Sequence, residues 1–178
     1  MAGVALAIAV TNVSGFPSLP GSVTGARDFA SWAEDQGFEK VVVLTDETRP
    51  VRAKDLYGVV AAAVDAGVAR IFVFFAGHGL ARGFGEDLWL LSGALNNPNE
   101  AVDVAQSVRL ARYSGIPHVA VFGDTCRTVA GSPSLLAVTG TSIFPTPNFS
   151  RNPCELDQFY GATPGQSACG VPELCYWC

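Results

Sequence analysis

The sequence predicts an α/β fold, a three-layer αβα sandwich built on a mainly parallel sheet. Three observations predict it. Short apolar runs alternate with segments whose apolar residues recur at i, i+3, i+4 and i+7, and that alternation builds parallel sheets with right-handed crossovers. The runs are continuous Val/Ile/Phe stretches, as expected of strands buried on both faces. The chain has 178 residues, of which 49% are hydrophobic and 15% charged. That is enough apolar material for the core of one domain.

The elements follow in order. Val4–Val10 is the first strand. A secretory leader is the rival reading, but this run lacks a basic n-region and is short for an h-region. A Gly/Pro/Ser loop runs to about residue 22. A helix follows with Ala26, Phe29, Ala30 and Ala33 on one face, and Gly37 is placed to stop it. Lys40–Leu44 is the second strand. A turn containing Pro50 leads to a second helix with Ala53, Leu56, Val60 and Val64 inward and Gly67 as its stop. The third strand, Ile71–Phe75, runs on to His78, and Asp87–Leu91 is a short hairpin strand. Asn99 is placed to cap a third helix reaching about Tyr113, with Gly115 after it. The fourth strand, Val119–Gly123, leads into Asp124-Thr125-Cys126-Arg127. From Ala130 to about residue 153, Gly, Pro, Ser and Thr dominate.

Charge and cysteines exclude several classes. The net charge is −5 and the basic residues are scattered, which argues against binding nucleic acid or an anionic membrane. No apolar run is long enough to span a bilayer. The five cysteines are Cys126, Cys154, Cys169, Cys175 and Cys178. An odd count, clustered at the tail, is not a disulfide framework. Cys175-Tyr176-Trp177-Cys178 has zinc-ligand spacing, but a site needs a second pair and only Cys169 is near. No metal and no cofactor are expected.

The chemistry lies at two strand ends. Ile71–Phe75 runs into Ala76-Gly77-His78-Gly79, and Val119–Phe122 runs into Gly123-Asp124-Thr125-Cys126. Ligands of parallel sheets bind at the carboxyl ends of the strands. If the two strands are neighbours, an imidazole and a thiol meet there, the minimum for thiol nucleophilic catalysis. Glycines on both sides of His78 let the backbone turn sharply. A thiol near positive charge has its pKa lowered from ~8.5 to ~3.5–7.5, which makes a thiolate available at neutral pH. Other motifs fail. Arg82 stands where a dinucleotide loop needs glycine. Asp124 and Thr128 stand where a hydrolase elbow needs glycines. A Gly-Lys-Ser/Thr phosphate loop is absent from the sequence.

Order and spacing narrow the class. His78 precedes Cys126 by 48 residues (126 − 78). Papain-like enzymes run the other way, whereas a His about 50 residues upstream of a Cys-Arg pair is a caspase pattern. The chain resembles the caspase-like cysteine peptidases, and most closely their bacterial metacaspase- or orthocaspase-like branch, which carries Asp two residues before the Cys. Leu19-Pro20-Gly21-Ser22-Val23, Leu88-Trp89-Leu90-Leu91 and Ile116-Pro117-His118-Val119 agree with that branch. The resemblance covers roughly residues 4–168. It makes Leu156–Gly165 the fifth strand and the substrate-facing turn after it. It also implies that the last strand and further helices of the family fold are missing. Residues 1–168 are then an incomplete peptidase domain, and residues 169–178 a Cys-rich tail of unassigned role.

The resemblance implies roles. Cys126 is the nucleophile and His78 the general base and acid. The N–H groups of Gly79 and Cys126 form the oxyanion hole. Asp124 lines the S1 pocket and pairs with a basic P1 residue; the alternative is a cap on the turn after its strand. Asp87 is a second acidic wall or a solvated hairpin residue. Two roles are open to Arg127, orienting the Cys loop or making an ion pair. His118 is structural, and Asp46 and Glu47 serve a turn. Arg27 does not match the family's arginine for a P1 Asp, so cleavage after Arg or Lys of a polypeptide substrate is expected. The alternative is a truncated, inactive module for protein–protein interaction. A cytoplasmic location and self-association through an open sheet edge complete the expectations.

Overall fold

The apolar runs become the strands of a parallel sheet. The computed structural model describes residues 2–83, 85–129, 131–146 and 154–166. In chain order its elements are β1 (Gly3–Ala9), α1 (Gly21–Asp35), β2 (Lys40–Thr45), α2 (Ala53–Asp65), β3 (Arg70–Gly77), β4 (Gly79–Ala81), β5 (Asp87–Leu90), β6 (Ala101–Asp103), α3 (Val104–Ala111), β7 (His118–Thr125), β8 (Thr128–Val129), α4 (Pro133–Leu136) and β9 (Glu155–Tyr160). Five strands form the main sheet in the order β2-β1-β3-β7-β9, every pair parallel. A second, small sheet has the order β6-β5-β4-β8, with β4 directly following β3.

Alternation along the strands assigns the two faces. Ala5, Ala7, Ala9, Phe74 and Ala76 pack with Ala26, Phe29, Ala30 and Ala33 of α1. Alanines on β1 let α1 sit close. Leu6, Ile8, Ile71, Val73, Phe75, Val119 and Val121 pack with Leu56 and Val60 of α2 and Val104 and Val108 of α3. The sheet therefore lies between helices, as a three-layer sandwich requires. Each fully buried Leu, Ile or Phe contributes about 1.5–3 kcal/mol.

Gly37 ends α1 as expected. It has φ +71°, Phe38 N–H donates to Ala33 O at 3.1 Å, and Gly37 N–H donates to Glu34 O at 3.0 Å. This is a Schellman stop, and the αL residue it needs is favoured as glycine. The chain enters β2 three residues later.

Three expectations change. Asn99 does not cap a helix. Ala101–Asp103 instead forms β6 against β5, with Leu90 opposite Ala101 and Trp89 opposite Val102. Ala101 and Val102 are fully buried by that pairing, which outweighs their helix periodicity. The cap of α3 is Asp103, whose Oδ1 accepts from Gln106 N–H at 2.8 Å. On α2 the inner position falls to Ala63, with Val64 half-buried. The fourth strand of the main sheet also continues past Gly123 to Thr125, because Asp124 and Thr125 pair with Ala76 and Gly77.

Among the described residues no helix is long and apolar enough to cross a membrane. Cys169, Cys175 and Cys178 lie outside the described residues, and so do the expectations that fall on them.

Candidate active site

Register brings the two reactive residues together. Along β3 and β7 the partners run from Arg70 opposite His118 to Gly77 opposite Thr125. Beyond the gap, β4 and β8 resume with Leu80 opposite Thr128 and Ala81 opposite Val129. Every pair is 48 apart (118 − 70, 129 − 81). His78 and Cys126 share that offset and stand in the gap between the two ladders, at the carboxyl end of the sheet.

The backbones are tight here. A Cβ built on Gly79 would lie 2.5 Å from the Cys126 carbonyl oxygen, 2.6 Å from Thr125 Oγ1 and 2.8 Å from Thr125 Cβ. Only glycine allows the chain after the imidazole to lie against the chain that carries the thiol.

His78 is held from three sides. Its ring is buried, and Nε2 lies 2.8 Å from the Pro17 carbonyl oxygen. A carbonyl only accepts, so Nε2 donates in this contact and Nδ1 is the ring nitrogen that it leaves unengaged. The Phe16 ring packs on the imidazole at 4.6 Å between centroids. Leu90 N–H donates to the His78 carbonyl at 2.9 Å. The loop that supplies Phe16 and Pro17 is itself tied down. Thr11 N–H and Asn12 N–H donate to the two carboxylate oxygens of Asp46, at 2.9 and 2.8 Å.

Cys126 is half-buried. Beside it, Asp124 is also half-buried, and burial pushes its carboxyl above the ordinary value. Asp124 Oδ1 is buried and accepts no hydrogen bond among the described residues. A turn-capping carboxylate would accept one.

Asp87 and Arg127 pair with each other. Arg127 Nε donates to Asp87 Oδ1 at 2.9 Å and Arg127 Nη2 to Asp87 Oδ2 at 2.7 Å. Both residues are buried. The solvated-residue reading of Asp87 is thus corrected: closing the hairpin onto the Cys loop buries it. As a second acidic wall it would first have to release Arg127, because both its oxygens are occupied. Donating to the Asp87 carboxylate raises the Arg127 pKa, so the guanidinium stays charged. Arg127 Cζ also lies 4.2 Å over the Tyr160 ring.

The remaining residues lie elsewhere. His118 begins β7, at the end of the sheet away from His78 and Cys126, with Nε2 3.0 Å from Asp157 Oδ2. Arg27 pairs with Glu47 at the surface, at 2.8 Å. Among the described residues no cluster of three His, Cys, Asp or Glu could hold a metal ion.

Sequence reasoning missed the Pro17 carbonyl, the Phe16 ring and the carboxylate anchor of Asp46. The first two sit in a Gly/Pro/Ser loop whose contribution is a backbone oxygen and a ring face, and neither leaves a motif. Comparison with protein-family models and with curated proteins finds no match to this chain.

Proposed function

We propose that the chain is a caspase-like cysteine endopeptidase that cleaves after Arg or Lys. The observation that carries this reading is the shared register of His78 and Cys126 at the carboxyl ends of adjacent parallel strands. Nδ1 of His78 takes the thiol proton, and the Cys126 thiolate attacks the scissile carbonyl. The imidazolium returns the proton to the leaving amine as the C–N bond breaks. Water then adds to the thioester, the C–S bond breaks, and the carboxylic acid product leaves as Cys126 regains its thiol. The N–H groups of Gly79 and Cys126 serve the oxyanion, acting as fixed dipoles in a water-poor site.

The unpartnered Oδ1 of Asp124 supports a basic P1 residue. A buried acceptor without a partner is costly, and a guanidinium or ammonium relieves it. Arg127 does not supply a pocket for an acidic P1, because Asp87 neutralises it. A panel of fluorogenic peptides varied at P1 tests the reading. Preferred cleavage after Arg or Lys is expected. Losing one partner of a buried charge pair costs ~2–5 kcal/mol, so Asp124→Ala lowers kcat/KM on Arg peptides about 30-fold or more. Preference for Asp at P1, or an Asp124→Ala variant with unchanged Arg preference, overturns it.

A second reading, a binding module without activity, draws on β9. Its residues are mostly exposed, Phe159 at 53%, and among the described residues only β7 pairs with it. An apolar hollow of about 240 Å³ lies alongside, lined by Phe29, Trp32, Phe72, Phe122 and Phe159 among others. Absence of cleavage across the whole P1 panel favours this reading.

A further inference from the structure

We infer that Arg127 and Asp87 form a positioning clamp that holds the Cys126 loop in register with the His78 hairpin. The inference rests on the dyad reading above. It starts from where the two residues sit in the chain. Arg127 directly follows Cys126. Asp87 opens β5 and stands opposite Ala81 at the end of β4, the strand that directly follows His78. The fork of the guanidinium therefore ties the chain after the nucleophile to the hairpin after the base, through two bonds of 2.9 and 2.7 Å.

Arg127 reaches a third segment as well. Its Nη1 donates to Ala162 O at 3.4 Å, and its guanidinium lies on the Tyr160 ring. Its own N–H donates to Gln166 O at 2.9 Å, and its carbonyl accepts from Gly165 N–H at 3.0 Å. The nucleophile loop, the hairpin beyond the base and the turn after β9 converge on this one side chain and its peptide. The two side chains are 9% and 7% exposed, so the pair is closed to solvent.

Stability alone does not account for such a pair. Apolar residues of similar volume in place of a buried ion pair are often neutral or stabilising. A planar fork does impose direction, because two parallel bonds fix both carriers. The catalytic consequence is geometric, since a misplacement of ~1 Å at reacting atoms costs on the order of 100-fold. Arg127 and Asp87 touch neither substrate nor reacting atoms in this account. They act through Cys126.

The test separates positioning from folding. Cys126 is followed by its rate of alkylation with iodoacetamide at pH 6, read by peptide mass, alongside peptide cleavage and thermal melting. The double variant Asp87→Leu/Arg127→Met removes the clamp without leaving a lone buried charge. It is expected to melt within a few degrees of the parent, to alkylate at least 10-fold more slowly, and to lose about 100-fold in kcat with KM within threefold. Arg127→Lys keeps the charge but not the fork, and is expected to lose at least 10-fold in kcat. A folded double variant with the parent's alkylation rate and kcat overturns the clamp. If the double variant does not fold, a folded Arg127→Lys with full kcat overturns it instead. His78→Ala distinguishes the two levels: if it alkylates as fast as the parent at pH 6, the dyad reading fails and the clamp with it. A slow His78→Ala beside a fast clamp variant overturns the clamp alone.

Discussion

Gly79→Ala asks whether the strand ends that carry His78 and Cys126 lie as close as their register implies. The added Cβ would stand 2.5 Å from the Cys126 carbonyl oxygen and 2.6 and 2.8 Å from Thr125 Oγ1 and Cβ. Comfortable contact begins near ~3.5 Å, so the two chains must part by about 1 Å. None of the three atoms belongs to the free end of a flexible side chain. One is on the nucleophile's own peptide, and two are on a stiff β-branched residue. Overpacking of this kind costs ~1–3 kcal/mol, or roughly 2–12 °C in Tm for a chain of this size. The same ~1 Å at the dyad costs on the order of 100-fold in cleavage. Gly58→Ala on α2 is the control. Its Cβ meets nothing within 4 Å, so helix propensity alone acts and stability rises by up to ~1 kcal/mol. Melting curves and kcat on an Arg peptide are measured for both. A Gly79→Ala chain with unchanged Tm and unchanged kcat would refute the side-by-side placement of His78 and Cys126.

The pH dependence of stability reads Asp124. Burial raises its folded carboxyl pKa above the ordinary ~3.9, so the group destabilises the fold progressively as pH rises through that raised value. Asp124→Asn should therefore raise Tm at pH 7, and the gain should vanish below ~3.9, where both states are protonated; a gain independent of pH contradicts the burial argument. Cys126→Ala should abolish cleavage, while replacing Cys154, Cys169, Cys175 and Cys178 together by Ser should leave it largely intact; the reverse outcome removes the thiol assignment. An exposed β9 edge beside aromatic side chains favours self-association, so light scattering should find oligomers that Phe159→Lys reduces, and a monodisperse parent monomer contradicts this.

The strands, and the placement of His78 and Cys126 at their carboxyl ends, were legible because their signals are local. Ile71–Phe75 and Val119–Phe122 are continuous apolar runs, and His78 and Cys126 close them. The equal offset that aligns the two residues is also present in the sequence, as the 48 positions between them. What stayed hidden depends on pairing across distance. Ala101-Val102-Asp103 carries a helical pattern, and only the presence of β5 beside it makes it a strand. Asp87 and Arg127 are 40 residues apart, and the sequence leaves two roles open to each without naming either as the other's partner. The Pro17 carbonyl that fixes the His78 tautomer is a backbone atom, which every residue possesses. Asp46 looked like a turn residue, and its two oxygens in fact anchor the loop that holds the imidazole.

Active-site labelling tests the central claim most directly. The chain is treated with a peptidyl chloromethyl ketone ending in arginine, and the modified cysteine is located by peptide mass, in the parent and in His78→Ala. The account predicts one label, on Cys126, formed quickly in the parent and at least 100-fold more slowly without the imidazole. Label spread over Cys154 and the tail cysteines, or a Cys126 label that forms equally fast in His78→Ala, would contradict it.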